Sequence, residues 1–427
     1  MAGQRKKSGS SSGGFLKTFT GDVRHGDMSL SFFAYVMILL VIGLVMMSSA
    51  SYAWAYSEFD GDGLYYARNQ VINAGIGFVA MIFFMKMDYH NFKKIRFPFL
   101  KKFNIAGLLY IAGLILLVLV LAIGNDEGGD MGAKRWLDIG PIGFQPSEVA
   151  KFTLIIYFAY SMERDGNKMN TFKTGILKYA FLLGIYAILL LLEPHISGTI
   201  LLGTIAVALI LCGGANRKQF LSLAAAAVTA AVAFLKWQSG IEGSYVATRL
   251  KSWQNPFADV LNDTWQTANS LIAIGSGGLF GLGLGNSRQK YLYLPETQND
   301  FVFPIVCEEL GFVGALAIII VFLLLVIEGY SIAARCRDRF GMLIAVGITT
   351  QIGIQTVINL AVVSNLAPNT GISLPFFSYG GTALIMQLAE MGIMLNISQQ
   401  KYYPEPEPVV PEPQEDSEEY DDEPKNA

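Results

Sequence analysis

Long apolar runs alternate with short polar connections along most of the chain, at 31–54, 70–87, 104–123, 148–162, 175–192, 198–213, 219–236, 303–328, 341–364 and 375–397. At about 1.5 Å per residue such runs cover the roughly 30 Å hydrocarbon thickness of a bilayer, and so they predict transmembrane helices. The pattern is that of an all-α polytopic membrane protein. About ten spans are expected over residues 31–398, with one large extracytoplasmic loop, 237–302, between the seventh and the eighth. The run from Ser31 to Trp54 is too long for the core of a cleaved signal peptide. Residues 1–30, with Arg5, Lys6, Lys7 and a Ser/Gly tract, and residues 399–427, acidic and Pro-rich, cannot bury a core and are expected to be disordered cytosolic tails.

Charge sets the orientation, because Lys and Arg stay on the cytoplasmic side of short connections. Lys93, Lys94, Arg96, Lys101 and Lys102 follow the second run, Lys168, Lys173 and Lys178 surround the connection after the fourth, Arg217 and Lys218 follow the sixth, and Arg335, Arg337 and Arg339 follow the eighth. The odd-numbered connections carry Glu58, Asp60 and Asp62, then Asp126, Glu127 and Asp130, then Glu193. Both termini are therefore expected in the cytosol and the long loop outside. Composition agrees with the membrane class: 52% of the 427 residues are hydrophobic and 15% charged, and the mean hydropathy is +0.42. Cys212, Cys307 and Cys336 show no metal or disulfide spacing, and His25, His90 and His195 are equally scattered, so neither a metal cage nor a cystine framework is expected.

The polar residues that interrupt this pattern carry the candidate chemistry. In LPETQNDFVFPIVCEELG, Leu294 to Gly311, a water-side loop runs into an apolar helix, placing Glu296 and Asp300 just outside the membrane and Glu308 and Glu309 a few residues within it. Carboxylates at that depth are costly and mark function by default. Glu308 and Glu309 are adjacent and so lie on different helix faces, and at most one is expected to face the cavity, the other pairing with a neighbouring helix. In GAKRWLDIGPIGFQPSEVAKF, Gly132 to Phe152, Pro146 and Ser147 read as a helix start with Ser147 as its cap, and Glu148 and Lys151 then share one helical face. That pair is either a structural ion pair or, with Lys134 and Arg135, a polar entrance for an anionic headgroup. Arg135 beside Trp136 suits an interfacial phosphate contact or a simple aromatic anchor. LEPHISGTI, Leu192 to Ile200, puts Glu193 and His195 at a turn forced by Pro194.

The long loop adds Arg249, Lys251, Trp253, Trp265 and Lys290, cations and aromatic faces suited to a phosphate and sugar rings. Its glycines from Gly275 to Gly285 are not a dinucleotide loop, since no strand precedes them and no βαβ unit fits. Close backbone packing in a re-entrant or flexible segment is their expected use. The last outer connection, NTGISLPFFSYGGTAL, carries Ser378 and Tyr379 before two glycines.

Three strings, GAKRWLDIGPIGFQPSEVAKF, GLGLGNSRQKYLYLPETQNDFVFPIVCEELG and NTGISLPFFSYGG, resemble in order the hallmark segments of the SEDS family, the FtsW, RodA and SpoVE proteins of bacterial cell-wall synthesis. The long N-terminal tail and LPFFSYGG are most similar to the FtsW, cell-division branch. The resemblance implies a peptidoglycan glycosyltransferase that polymerises lipid II at the outer face of the bacterial cytoplasmic membrane. It implies a class B penicillin-binding transpeptidase as partner, together with other divisome or elongasome membrane proteins, and no nucleic acid. The carboxylate of the family motif falls on Asp300, the expected general base, which the helix N-terminus favours in its ionised form. Arg135, Glu148, Lys151, Arg249, Lys290, Glu296 and Ser378 are the expected substrate contacts. No dedicated metal ligands are expected, although a divalent cation, magnesium or manganese, is compatible with a diphosphate substrate. One motif departs from the family: where many members have Glu-Pro-Asp-Leu-Gly-Thr, this chain runs Glu193, Pro194, His195, Ile196, Ser197, Gly198, Thr199. The aspartate's role is not transferred to His195. A flippase for the lipid-linked precursor and a non-catalytic scaffold for the transpeptidase are the alternatives.

Overall fold

The computed structural model describes residues 27–95, 104–124, 135–139, 142–193, 195–222, 253–259 and 264–400, with 225, 229 and 237 singly. Arg249, most of the seventh apolar run and both tails lie outside the described residues.

Eleven α-helices occur among the described residues. They are α1 (Leu30–Glu58), α2 (Tyr65–Lys86), α3 (Asn91–Lys94), α4 (Ile105–Ile123), α5 (Pro146–Asp165), α6 (Lys178–Leu192), α7 (Ile196–Cys212), α8 (Trp265–Ser276), α9 (Val302–Arg335), α10 (Arg339–Val363) and α11 (Gly381–Gln399). A π-helical segment, Phe172–Leu177, leads into α6. Among the described residues six helical segments are long and apolar enough to cross a membrane: α1, α2, α4, Phe172–Leu192, α9 and α10. The protein is mostly helical and multi-pass. At the fourth, sixth and tenth predicted runs the helices are α5, rich in charge, α7, with only 17 residues, and α11, which starts at Gly381 rather than 375.

The inner helices explain that difference. The most apolar window of α10 is 72% buried, against 28–39% for the other candidate spans, so α10 sits at the centre while those present side chains to lipid. On it Thr349, Thr350, Gln351, Gln355, Thr356 and Asn359 are all buried. Such residues lower hydropathy without exposing polarity to hydrocarbon, because their partners are protein. α5 and α11 pack beside α10 and bury most of their own residues, while α11 also lies along α2 and α9 along α10.

Two features depart from an all-helical reading. A two-stranded antiparallel hairpin, β1 (Leu137–Ile139) and β2 (Ile142–Phe144), pairs Leu137 with Phe144 and precedes α5. It is tied to α11 through Thr382, whose hydroxyl donates to the Gly143 carbonyl at 2.9 Å and accepts from the Gln145 N–H at 3.3 Å. The second feature is a break in α9 at Gly311, whose φ of 67° is open to glycine at little steric cost. A regular helix would return the carbonyls of Glu308 and Glu309 to the N–H groups of Phe312 and Val313. Instead these carbonyls accept from the N–H groups of Leu282 and Gly283 at 2.9 and 3.0 Å, while Phe312 and Val313 donate to the carbonyls of Gly278 and Leu279 at 2.9 and 3.1 Å. The glycine-rich segment is thus docked backbone to backbone in the broken helix, as close packing requires. A Cβ on Gly277 would lie 2.0 Å from the Cys307 carbonyl oxygen, and one on Gly281 2.1 Å from that of Glu309.

Candidate active site

Asp300 closes a compact turn one residue before the N-cap of α9, Phe301. Glu296, at φ 56°, starts the turn: its carbonyl accepts from the N–H groups of Asn299 and Phe301, and its carboxylate accepts from the Asn299 amide at 2.7 Å. The turn is moored on α1, where the Thr297 hydroxyl donates to the Ala50 carbonyl at 3.0 Å and the Trp54 indole donates to that of Leu294 at 3.3 Å. Asn359 of α10 fixes the far side. Its amide donates to the Asp300 carbonyl at 2.9 Å and to the Ile372 carbonyl at 2.7 Å, so one buried side chain pins this turn to the 364–380 connection. The half-buried Asp300 carboxylate rests against that connection, with Oδ2 3.2 Å from where a Cβ on Gly371 would be.

The 364–380 connection is held by further amides that sequence reasoning passed over. Gln70 of α2 donates to the Ser378 carbonyl and accepts from the Gly380 N–H, Gln355 donates to the Ser373 carbonyl, and Gln387 accepts from the Phe376 N–H. Ser378 belongs to the same scaffold. Its hydroxyl accepts from the Leu374 N–H at 2.7 Å, which gives it a structural role in this connection. The signal available in sequence was only that Gln70, Gln355, Asn359 and Gln387 interrupt apolar spans.

Lys290 is held inside the protein. Its ammonium, 3% exposed, donates to Glu309 at 2.9 Å, to the Gly285 carbonyl at 2.7 Å and to the Ser49 hydroxyl at 3.1 Å. An ammonium has three donors, and all three are used, which leaves none for a phosphate. Glu308 and Glu309 are both buried, and Glu309 reaches a neighbouring helix, α1, through Ser49. Both turn to residues 287–290: Glu308 accepts from the Ser287 hydroxyl and the N–H groups of Arg288 and Gln289, Glu309 from Lys290, the Ser287 N–H and Ser49. The reason is the loop itself, which wraps across the first turns of α9 and presents donors to both positions.

A second polar group gathers around α5. Gln145, not Ser147, is the N-cap, with Pro146 at the first helical position, and the buried Ser147 hydroxyl has no hydrogen-bond partner among the described residues. Glu148 and Lys151 form the ion pair of the structural reading, at 2.7 Å and buried. The pair stands within electrostatic range of Glu390 on α11, which accepts from the Gln351 amide at 2.9 Å. Lys151 and Arg135, the latter half-buried at the entry to β1, also act on His195, and Arg135 acts on Glu193. Burial pushes the Glu193 carboxyl up to about 8, with Arg135 opposing only in part. Among the described residues, Glu193 Oε1 and His195 Nδ1 are buried without a hydrogen-bond partner. The His195 ring lies over Gly198, where a Cβ would meet it at 2.0 Å, so the histidine and the glycine form one local unit of this chain. Pro194 lies outside the described residues.

The family model for the cell cycle proteins FtsW, RodA and SpoVE matches residues 29–403. The chain belongs to this family. Among its relatives, Stage V sporulation protein E of Bacillus subtilis is 37% identical over 86% of this chain and 96% of that protein. The probable peptidoglycan glycosyltransferase FtsW of Geobacter metallireducens is 36% identical over 84% of this chain and 92% of its own length. Two solved structures share the fold. One is a chain from the work "Structural coordination of polymerization and crosslinking by a peptidoglycan synthase complex", with TM-score 0.70, 25% identity and coverage of 87% of this chain and 97% of that one. The other is the rod shape determining protein RodA of Thermus thermophilus, with TM-score 0.60, 26% identity and coverage of 87% and 96%. The FtsW/RodA/SpoVE match runs through both polar groups, the Asp300 turn and the α5 pair alike.

Proposed function

We propose that this protein is a peptidoglycan glycosyltransferase that polymerises lipid II, and that Asp300 is its general base. The observation that supports this most directly is the clamping of the Asp300 turn from three sides, by α1, by Asn359 and by the Gly371 backbone. A base must be held where it meets the hydroxyl it deprotonates, and that positioning is what such a scaffold supplies. In the reaction an acceptor sugar hydroxyl attacks the anomeric carbon of the donor, the new glycosidic bond forms as the bond to the lipid diphosphate breaks, and the hydroxyl proton passes to Asp300. Direct displacement inverts the anomeric centre. Arg135 and Arg249 are the proposed contacts of the departing diphosphate, with the Glu148–Lys151 pair lining the approach and Glu296 shaping the turn. A divalent cation enters this reading only as a counter-ion carried by the diphosphate. Among the described residues no three His, Cys, Asp or Glu side chains gather to hold a metal.

The proposal places the chain in the bacterial cytoplasmic membrane with ten spans, the seventh at 219–236, both tails in the cytosol and Asp300 on the extracytoplasmic side. A class B penicillin-binding transpeptidase is the proposed partner, within the division or elongation machinery. The test uses the purified protein with its cognate transpeptidase and labelled lipid II. A ladder of glycan strands is expected from the wild type and none from folded Asp300→Asn. Equal ladders would remove Asp300 as the base, and no ladder from either, with intact lipid II and active partner, would favour a flippase or a scaffold.

A further inference from the structure

From Thr264 to Ser287 the chain has no charged residue, although this stretch lies within the connection that its position would assign to water. Its first half is α8, whose 12 residues are about 18 Å long, too short to cross a membrane. α8 passes the end of α10 near its own midpoint, where the Ser270 hydroxyl donates to the Val363 carbonyl at 2.7 Å, and it runs on along α9 to Gly277 beside Cys307 and Glu308. There the chain turns, docks its backbone in the α9 break, and returns through Gly285 to the buried Lys290.

The depth of this turn follows from α9. Between Glu309 and Glu328 that helix has no charged residue, and Leu310–Ile327 at 1.5 Å per residue spans about 27 Å, the hydrocarbon thickness. Phe312 and Val313, whose N–H groups meet the tip, therefore stand just inside the hydrocarbon edge. Their side chains face outward, Phe312 at 61% exposure. The tip continues the same surface, with Leu279 63%, Phe280 81% and Leu284 57% exposed and Leu282 beside them. Large apolar side chains at such exposure are what lipid accepts and water does not. The backbone favours entry into hydrocarbon as well, since the N–H groups of Leu282 and Gly283 and the carbonyls of Gly278 and Leu279 pair with the groups freed by Gly311, and the Gly281 N–H donates to the Gly277 carbonyl.

We propose that Gly277–Gly285 is the tip of a re-entrant segment that sits among the lipid acyl chains of the leaflet on the Asp300 side, with Leu279, Phe280, Leu282 and Leu284 in contact with them. The inference concerns only which medium the tip meets, and it stands or falls independently of the catalytic reading. The test is fluorescence quenching of the full-length protein in phosphatidylcholine vesicles, with Phe280→Trp and Leu282→Trp each measured against the background of the five native tryptophans. Phe312→Trp on lipid-facing α9 and Lys168→Trp on the exposed connection after α5 are the references. The added fluorescence at 280 and at 282 is expected to be lost to bromines at the upper acyl chain to the same extent as at 312, and to resist aqueous iodide. Loss to iodide with no effect of the bromolipid, as at 168, overturns the proposal. Protection from both quenchers, the signature of a tip covered by protein, overturns it equally. Two variants at different exposed positions keep the test decisive if one of them fails to fold.

Discussion

Asp300 and Lys290 lie ten residues apart in one polar stretch, yet the structure uses them differently. Residue type and spacing locate both at the site but do not show that Asp300 is half-buried at the start of α9 while Lys290 is fully buried and bonded within the protein. That difference rests on Ser49, Gly285 and Glu309, which reach Lys290 only through the fold. The amide of Asn359 was equally hidden, because one polar residue on an apolar helix reads as a packing detail until the two carbonyls it meets are known. Lys290 yields a prediction at this scale. Removing one member of a buried ion pair leaves the other charge uncompensated, at a cost of about 3–5 kcal/mol, whereas replacing both with neutral groups of similar size is much milder. Lys290→Met is expected to lower the thermal midpoint in detergent sharply, and Lys290→Met with Glu309→Gln is expected to recover part of that loss. A single variant as stable as wild type would show that the pair contributes nothing.

Among the elements, the outer helices were legible and the inner ones only partly so. α1, α4 and α9 meet lipid along much of their length, and continuous apolarity is the pattern lipid selects. α5 and α11 meet protein instead, so charges such as Glu148 and Glu390 are tolerated and blur the apolar signal. The break in α9 had a visible trace, the glycines at 277–285 and 311, but the partner of each glycine is set by tertiary docking. A pair of substitutions separates backbone strain from crowding. Gly285 has φ +82° with nothing within 4 Å of a built Cβ, so Gly285→Ala should cost only the left-handed penalty of about 1 kcal/mol. Gly281 has φ +78° and its Cβ would lie 2.1 Å from the Glu309 carbonyl oxygen, so Gly281→Ala should cost the same penalty plus displacement of the docked strand, on the order of 3 kcal/mol in all. Thermal unfolding of the two variants side by side checks the difference, and equal midpoints would mean that the docking is loose.

At the scale of the molecule, three connections converge on the face opposite Asp300, at the basic ends that orientation by charge assigns to the cytosol. His90, between α2 and α3, bridges two carboxylates: its Nδ1 is 2.7 Å from Asp88 and its Nε2 3.6 Å from Asp338, the N-cap of α10. Tyr89 donates to Asp338, Lys94 stands 3.4 Å from Asp88, and Gln400 beyond α11 donates to Asp88 at 3.2 Å. Burial alone would lower the His90 pKa, but its hydrogen bonds to Asp338 and Asp88 outweigh that and raise it. Burial likewise pushes both carboxyls up, and the bonds from His90 and its neighbours hold them well below the usual carboxylate range. The signs therefore differ. The histidine's contribution to stability is fully present below its unfolded value of about 6.5 and disappears as pH rises through its raised folded value. Those of Asp88 and Asp338 are present above about 3.9 and disappear as pH falls toward their lowered values. The cluster ties α2, α10 and α11 together most strongly between these limits, in weakly acidic to neutral solution. His90→Asn should accordingly lower the thermal midpoint most near pH 6, with the gap to wild type closing as pH rises above the histidine's folded pKa. A gap that stays constant from pH 6 to alkaline solution would mean that the imidazole acts by shape alone, and that the junction is held instead by bonds such as those of Asn396 on α11, which donates to the Met85 carbonyl at 2.7 Å and accepts from the Tyr89 N–H at 3.3 Å.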